Sequence, residues 1–448
     1  MRLPVFLLVS ALFSASLAGC NRPVGQAEPF PDGFSWGAGH GPGHEVSIGP
    51  EHVSALATVG LTDYRYPLSW GDMMPDGQTL DEAALERARS ALQSLRDGGI
   101  EPLVVLHHGE LPAPVLELGG WSAPETVQRF GSYAGLVFAR LGDAAARWAT
   151  LADPFGDRLR SHPLPAAPDT VSRDLSRAPP FVQARRAARD LNPEQSSYDL
   201  LRVRLEETAR MVEAHAAAVR AFRESGQSGS IGVILRLSPV FGVNEADSAA
   251  ARIEDAVRNR WVLEPVLLGT YPADVASALG LSPRDLEPPA IDFLGIDYFA
   301  PTRVEADSLS EHLGIRLFPN TDGDKSAFGE ANAPAIRTLL TDLDRRYDLP
   351  PVWVTANGAS YGFIDELNEN GRIRDELRVR FLRRHLVQVQ RAVADGVDVR
   401  GWFLWTGFDG ASNAGMIRQD SAGVFVFKDS ARYLRSIAAA NAVSRMPF

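Results

Sequence analysis

Residues 352–358 read VWVTANG, an apolar run closed by asparagine and glycine. Its length and its β-branched residues are typical of a buried strand. Seven more runs of this kind occur, and the eight together cover residues 33–38, 63–70, 101–108, 145–153, 230–239, 291–299, 352–358 and 400–408. Because helical patterns separate the runs, the sequence predicts an α/β fold with a single (β/α)8 barrel, the TIM barrel.

The segments between the runs carry apolar residues three and four positions apart. Leu85, Ala88, Leu92 and Leu95 form one such face behind Asp81, a residue type that favours a helix start. Further helices are predicted at residues 51–60, 126–141, 200–224, 335–346 and 431–442. The chain therefore alternates strands with helices over most of its length.

Two long irregular stretches, residues 154–197 and 302–334, follow the fourth and sixth predicted strands. In a parallel barrel the loops after the strands gather at the carboxyl-terminal mouth, where ligands bind. We therefore expect long βα loops above the site. No later change of composition marks a domain boundary, so residues 30–448 are predicted to form one barrel domain.

The composition is that of a globular protein, with 45% hydrophobic residues and a formal net charge of −11. Clusters of lysine and arginine interleaved with aromatic residues do not occur, so nucleic acid is not an expected partner. No cofactor is predicted, and the sequence leaves the oligomeric state open.

The amino terminus has the pattern of an export signal over residues 1–19, with one arginine, an apolar run and then small residues. The apolar run is too short for a comfortable membrane span. The tetrapeptide LAGC at 17–20 resembles the bacterial lipobox, which implies a lipid on Cys20 and a tether over residues 20–29. The resemblance further implies membrane anchoring in the bacterial cell envelope, at the periplasmic face or the outer membrane. Ordinary cleavage after Ala18 is the alternative.

Short motifs at the strand ends are collinear and specific. They read FSWG (34–37), YRY (64–66), LHH (106–108), WATLADP (148–154), DFLGIDY (292–298), VTANG (354–358) and WTGFD (405–409). Together they resemble the motifs of glycoside hydrolase family 1, the β-glucosidase-like family. The resemblance implies a (β/α)8 barrel and the ancestry of a retaining β-glycosidase.

A retaining β-glycosidase uses two carboxylates about 5–5.5 Å apart, one as acid and base and one as nucleophile. The resemblance puts the acid/base position at Asp153 and the nucleophile position at Ala356. Alanine has no lone pair for the attack. In another enzyme, loss of one member of a catalytic unit lowered kcat about a million-fold. We therefore expect the retaining mechanism to be absent. Asp153 is either a general acid or a charged residue left at the mouth and paired with Arg65.

The residues that would contact a sugar are partly retained. By the resemblance, the candidate substrate-binding residues are Arg65, His108, Asp297, Tyr298 and Trp405. Other family positions carry different side chains, namely Ala152, Phe299, Ser412, Asn413 and His44. Trp70 and Trp405 form either a stacking floor for a sugar or aromatic caps on the core.

Arg65 presents two alternatives, because the family places it beside the nucleophile that is missing here. If Asp297 or Asp153 pairs with it, the pocket is neutralised. If neither does, the cation attracts a ligand that bears a carboxylate or a phosphate.

A group of potential metal ligands follows the first and third strands, and we expect its side chains on the ligand face. They are His40, His44, Glu45, His107, His108 and Glu110. Such groups can bind a transition metal, but hydrogen-bonded polar residues near a mouth are the commoner case. No metal is therefore predicted.

These observations favour an exported lipoprotein with a β-glycosidase-like barrel that is catalytically impaired and binds a saccharide or a partner on the former active-site face. The alternative is an active glycoside hydrolase on β-linked sugars. It would use Asp153 in an inverting or a substrate-assisted mechanism. The candidates for a second acid are Asp297, Glu110 and Asp409.

Overall fold

The computed structural model describes residues 29–40, 48–156, 197–310, 313–318, 324–361, 367–368, 370–410 and 413–443. The export signal, Cys20, His44, Glu45, Ser412 and most of the loop at 154–197 lie outside these residues. Within the described part of the chain, no helix combines the length and the apolar character needed to cross a membrane.

The strands are numbered in chain order. They are β1 (Ser35–Gly39), β2 (Asp63–Pro67), β3 (Glu101–His107), β4 (Arg147–Ala152), β5 (Ser230–Arg236), β6 (Val240–Gly242), β7 (Phe293–Asp297), β8 (Thr302–Ala306), β9 (Ile315–Phe318), β10 (Asp324–Ser326), β11 (Gly329–Ala331), β12 (Val352–Asn357), β13 (Val399–Trp405), β14 (Ile417–Gln419) and β15 (Phe425–Phe427). Eight of them close into a parallel barrel in the order β1, β2, β3, β4, β5, β7, β12 and β13.

The α-helices of the described residues surround this barrel or fill its loops. They are α1 (Pro50–Val59), α2 (Trp70–Met73), α3 (Glu82–Asp97), α4 (Ala113–Glu117), α5 (Glu125–Leu141), α6 (Ser197–Glu224), α7 (Ser248–Asp255), α8 (Trp261–Leu268), α9 (Ala273–Ala278), α10 (Ala333–Arg346), α11 (Glu376–Ala394) and α12 (Asp429–Ala440). Asp81 caps α3 as the sequence predicts, because its side chain accepts a hydrogen bond from the Ala84 N–H.

The eight predicted strands are the eight strands of the closed barrel, which confirms the fold class. Two details differ. The run at 63–70 leaves the sheet after Pro67 because Ser69 accepts a hydrogen bond from the Asp72 N–H and starts α2. The stretch at 302–334, predicted to be irregular, contains β8 to β11, which pair with β6 or with one another.

The barrel interior is filled by side chains that are separate from the larger core between barrel and helices. The interior cluster consists of Leu103, Val105, Ala149, Ala152, Ile234, Phe293 and Phe403. A side chain at Gly37 would clash with the Phe403 ring, since a Cβ built there would lie 2.4 Å from that ring. The plugged interior leaves the carboxyl-terminal mouth as the place for a ligand.

Two histidines are buried in the helical shell. His215 on α6 lies with Nδ1 2.7 Å from the Thr150 hydroxyl, and His385 on α11 stacks on Phe381 at a ring distance of 3.8 Å. Burial lowers the pKa of His215 to about 3 and that of His385 to about 4. Both rings are therefore neutral in the folded protein at neutral pH.

These depressed pKa values predict a loss of stability in mild acid. As the pH falls below 6.5, the histidines of the unfolded chain become protonated. In the folded chain, His385 stays neutral down to about pH 4. Between pH 7 and pH 5, each histidine should lower the free energy of unfolding by about 2 kcal/mol. Urea titrations of the wild type and His385→Leu at both values test this. An equal pH dependence in the two proteins would contradict the prediction.

Candidate functional site at the barrel mouth

The residues of the candidate site come from the carboxyl ends of different barrel strands. They are Arg65 on β2, His108 after β3, Asp153 after β4, Arg236 on β5, Asp297 on β7, Ala356 on β12 and Trp405 on β13. Parallel strands place their carboxyl ends at one edge, so residues distant in sequence meet there.

Arg65 and Asp297 form a buried ion pair. The Arg65 Nη1 lies 2.9 Å from both carboxylate oxygens of Asp297, and the two side chains are 0% and 5% exposed. Three strands separate β2 from β7 in either direction around the barrel, so the pair spans its interior. The Thr355 hydroxyl also donates to Asp297, at 2.7 Å. Of the two alternatives for Arg65, the structure shows the neutralising pair.

Ala356 lies next to this pair. On the neighbouring strand its register partner is Asp297, and the Thr355 carbonyl oxygen just before it lies 3.4 Å from the Arg65 Nη1. The residue is fully buried, and its own carbonyl accepts a hydrogen bond from the Tyr298 N–H. An alanine therefore stands opposite Asp297 in the register of the two strands.

Asp153 directs its carboxylate to the backbone. One oxygen accepts a hydrogen bond from the Gly156 N–H at 2.9 Å, which closes a turn directly after β4. Its φ of 51° lies in the left-handed region that non-glycine residues rarely adopt. The other oxygen lies 4.0 Å from the Arg236 Nη1. Among the described residues, Arg236 is thus a basic neighbour of Asp153, while Arg65 is engaged by Asp297.

Arg236 is a mouth residue that the sequence reasoning missed. It ends β5 in register with Asp297, and its guanidinium carbon lies 4.9 Å from the centre of the Phe299 ring. Its side chain is 45% exposed. The available signal was an arginine directly after the apolar run of β5, where a charged residue at a barrel strand end points to the mouth.

Trp405 and His108 also lie at the mouth. Trp405 is half-buried, and its ring centre lies 6.2 Å from those of His108 and Phe299 and 5.1 Å from the Arg65 guanidinium carbon. Trp70 is fully buried instead and stacks on Tyr133. The two tryptophans therefore do not form one floor.

Tyr298 lies apart from the other candidate residues. It is fully buried, its hydroxyl donates to the Asn332 carbonyl at 2.7 Å, and its ring lies 6.2 Å from that of His385. Successive strand residues point to opposite faces, so Asp297 points into the barrel and Tyr298 into the helical shell. The structure thus places Tyr298 in the helical shell, and its substrate-binding role stays a prediction.

The predicted group of metal ligands is divided between the two faces of the barrel wall. His107 packs against Trp70 and Trp121 in the shell, so the expectation that all these side chains share the ligand face is wrong for His107. His40 lies with Nδ1 3.0 Å from the Tyr64 hydroxyl. Among the described residues, no group of three metal-ligating side chains converges.

A closed parallel barrel with charged and aromatic side chains at its carboxyl-terminal mouth defines a TIM-barrel protein with a candidate site at that end. The chain belongs to glycosyl hydrolase family 1, whose sequence model matches residues 48–441. This match confirms the resemblance drawn from the strand-end motifs.

Relatives agree with this membership, and a solved structure agrees with the fold. The chain is 27% identical over 430 residues to β-glucosidase A of Acetivibrio thermocellus, covering 90% of this chain and 89% of that protein. It is 30% identical over 374 residues to β-glucosidase A of Enterobacter agglomerans, covering 80% and 74%. The structure of a Thermotoga maritima β-glucosidase in complex with azafagomine matches with a TM-score of 0.77 and 24% identity, covering 92% and 99%.

Because Asp297 belongs to a buried ion pair, its loss should destabilise the protein more than the loss of any other carboxylate at the mouth. Asp297→Ala should lower the free energy of unfolding by about 3–5 kcal/mol, because the Arg65 charge remains buried without its partner. The matched control is Asp398→Ala, whose pair with Arg400 is about half exposed. That change should cost less than about 1 kcal/mol. Chemical denaturation measures the free energy of unfolding of both variants. Equal decreases would contradict the larger contribution of Asp297 to stability.

Proposed function

We propose that this protein is a catalytically impaired member of its family that binds a saccharide at the mouth of the barrel. The observation that carries the proposal is an alanine at position 356, in register with Asp297 of the Arg65–Asp297 pair. A retaining mechanism needs a carboxylate that attacks the anomeric carbon. Asp297 does not substitute for it, because its oxygens are engaged by Arg65 and Thr355.

The second support is the position of the Asp153 carboxylate. It is hydrogen-bonded to the Gly156 backbone in a closed turn. An acid that protonates a leaving group must be held within hydrogen-bond reach of it, and a displacement of about 1 Å can cost a hundredfold in rate. Both family positions for catalytic carboxylates are thus poorly suited to turnover.

Saccharide binding is supported by what the mouth retains. Half-buried Trp405 offers an aromatic face, and His108 and Phe299 flank it. The charges of Arg65 and Arg236 are matched by those of Asp297 and Asp153. A mouth with aromatic walls and balanced charge suits a largely uncharged polyol.

An active hydrolase remains the second candidate function, favoured by the buried Asp153 at the acid/base position. An inverting mechanism needs a second carboxylate about 6.5–9.5 Å from the first. Among the candidates, Asp297 is held by Arg65, and Asp409 is held by Lys428 and by the Gly415 N–H. A substrate-assisted mechanism, in which an acetamido group of the sugar attacks, needs no carboxylate nucleophile from the protein and could use Asp153 as its acid.

The test of the proposed function is a panel of aryl β-glycosides, including acetamido sugars, given to the full-length protein with and without formate or azide. The wild type should not turn over without an additive, and a small anion should produce measurable activity if sugar binds. Ala356→Glu should raise kcat by about a hundredfold or more, because it restores an attacking carboxylate. Ala356→Gln is the control, because glutamine has the size of glutamate but no charge.

Three outcomes decide between the candidate functions. Hydrolysis by the unmodified protein without additive would refute the impaired state and favour the active hydrolase. Absence of activity under every condition, with calorimetric binding of β-linked oligosaccharides, supports a purely binding role. Absence of both binding and activity would refute the saccharide proposal.

We further propose that residues 1–19 are an export signal, that Cys20 carries the lipid, that residues 20–29 form a tether and that residues 30–448 form the exported barrel domain. The sequence LAGC at 17–20 supports lipidation. Cys20→Ser should release the protein from the membrane fraction into the soluble fraction of cells. Retention of this variant in membranes would contradict the anchor, and Ser16→Ala, outside the tetrapeptide, is the matched control.

A further inference from the structure

The neighbouring barrel strands β5 and β7 each bring one side chain of a contacting pair to the mouth. Arg236 is the last residue of β5, and Phe299 follows the end of β7 at Asp297. The Arg236 guanidinium carbon lies 4.9 Å from the centre of the Phe299 ring. The Arg236 side chain is 45% exposed, and Phe299 is half-buried. The pair therefore presents a cation and an aromatic ring at the entrance of the candidate site.

Ser238 connects the two chain segments that carry this pair. The Leu237 N–H donates to the Asp297 carbonyl at 3.2 Å, at the end of the pairing between β5 and β7. One residue further on, the Ser238 hydroxyl donates to the Ala300 carbonyl at 2.5 Å. Phe299 thus lies in the chain between two residues that are each bonded to the segment after β5.

Asn259 in the helical shell holds the backbone of Ser238. Its Oδ1 accepts a hydrogen bond from the Ser238 N–H at 3.0 Å, and its Nδ2 donates to the Ser238 carbonyl at 2.8 Å. The same Nδ2 donates to the Asp255 carboxylate at 2.7 Å, and Asn259 is 2% exposed. The amide side chain therefore bonds to Ser238 as a neighbouring strand would, while the Ser238 hydroxyl bonds to Ala300.

Asn259 belongs to a π-helical turn, Ala256–Arg260, between α7 and α8. Turns of this kind are rare and occur frequently at functional sites. Here the turn supplies the one side chain that bonds to both backbone groups of Ser238. The helical shell is thereby connected, through Ser238, to the strand ends that form the mouth.

Such a connection matters for binding because arginine is a long side chain with several rotatable bonds. Its orientation costs free energy when a ligand binds, unless the protein has already fixed it. Contact residues bind best when hydrogen bonds behind them hold their geometry. The bonds from Asn259 and Ser238 fix the backbone on either side of the Arg236–Phe299 contact.

We propose that Ser238 is a positioning residue of the mouth. Its hydroxyl, on a backbone held by Asn259, keeps the Arg236 guanidinium against the Phe299 ring, where the pair contacts a bound saccharide. The inference deepens the proposed function by naming the side chains that orient the ligand contacts, and its effect on binding rests on that function.

The positioning is measured first in the absence of ligand, by NMR of the full-length protein labelled with ¹⁵N-arginine. The Arg236 Nε–H signal is assigned by its absence in Arg236→Gln. Since the Phe299 ring shifts this signal, Ser238→Ala should move it toward the position of exposed arginines. Ser238→Thr keeps the hydroxyl and should restore the wild-type position. Ser225→Ala, which removes a similar bond to the Phe222 carbonyl at the end of α6, is the matched control and should not move it.

Calorimetric titration with cellobiose, a β-linked disaccharide, measures the effect on binding. Ser238→Ala should weaken binding about five- to tenfold, close to the effect of one hydrogen bond. In the Arg236→Gln background the same change should have no further effect, because Ser238 acts through Arg236. Asn259→Asp loses the bond to the Ser238 carbonyl and should act in the same direction as Ser238→Ala. Circular dichroism shows whether each variant is folded.

The outcomes separate this inference from the proposed function. An Arg236 signal that Ser238→Ala and Asn259→Asp leave unchanged overturns the positioning role. A displaced signal without cellobiose binding by the wild type supports the positioning of Arg236 and counts against the saccharide proposal. Unchanged cellobiose affinity of Ser238→Ala, or an equal loss with and without Arg236, overturns the effect on binding and leaves the saccharide proposal intact. An equal loss of affinity in Ser225→Ala also overturns the assignment to Ser238.

Discussion

The ion pair between Arg65 and Asp297 is the interaction around which the mouth of this barrel is organised. It joins strands on opposite sides of the barrel and lies almost entirely out of solvent. Burial of two charges is unfavourable unless each finds a partner in good geometry. The Thr355 hydroxyl adds a further bond to Asp297, which ties β12 to the same point. Ala356, which follows Thr355, lies in register with Asp297 at this point.

The arrangement separates the scaffold of the family from the residues at the mouth. The plugged interior and the closed ring of eight strands need apolar side chains and the close approach at Gly37, none of which involves catalysis. The mouth is built from strand ends, so single substitutions there alter the site without disturbing the core. Asp297 supplies a negative charge for Arg65 at a different position from residue 356.

Much of the fold was predictable because its signal is local. Eight apolar runs bounded by turn residues mark the barrel strands. The helix start at Asp81 was predictable because an aspartate side chain can cap a helix. The short strands β8 to β11 were not predictable, because each is stabilised by a partner strand and not by its own composition. The end of the run at 63–70 was missed because the cap at Ser69 outweighed its apolar character.

The sequence by itself determined the family, the barrel and the residue types at positions 65, 153, 297 and 356, since motifs fix the register of each strand end. Only the tertiary structure decided which of these side chains meet. In the structure, Asp297 is the partner of Arg65. His107 and Tyr298 point into the helical shell, and Arg236 lies at the mouth. The physical reason is that strand alternation and barrel closure set direction and distance between residues far apart in the chain.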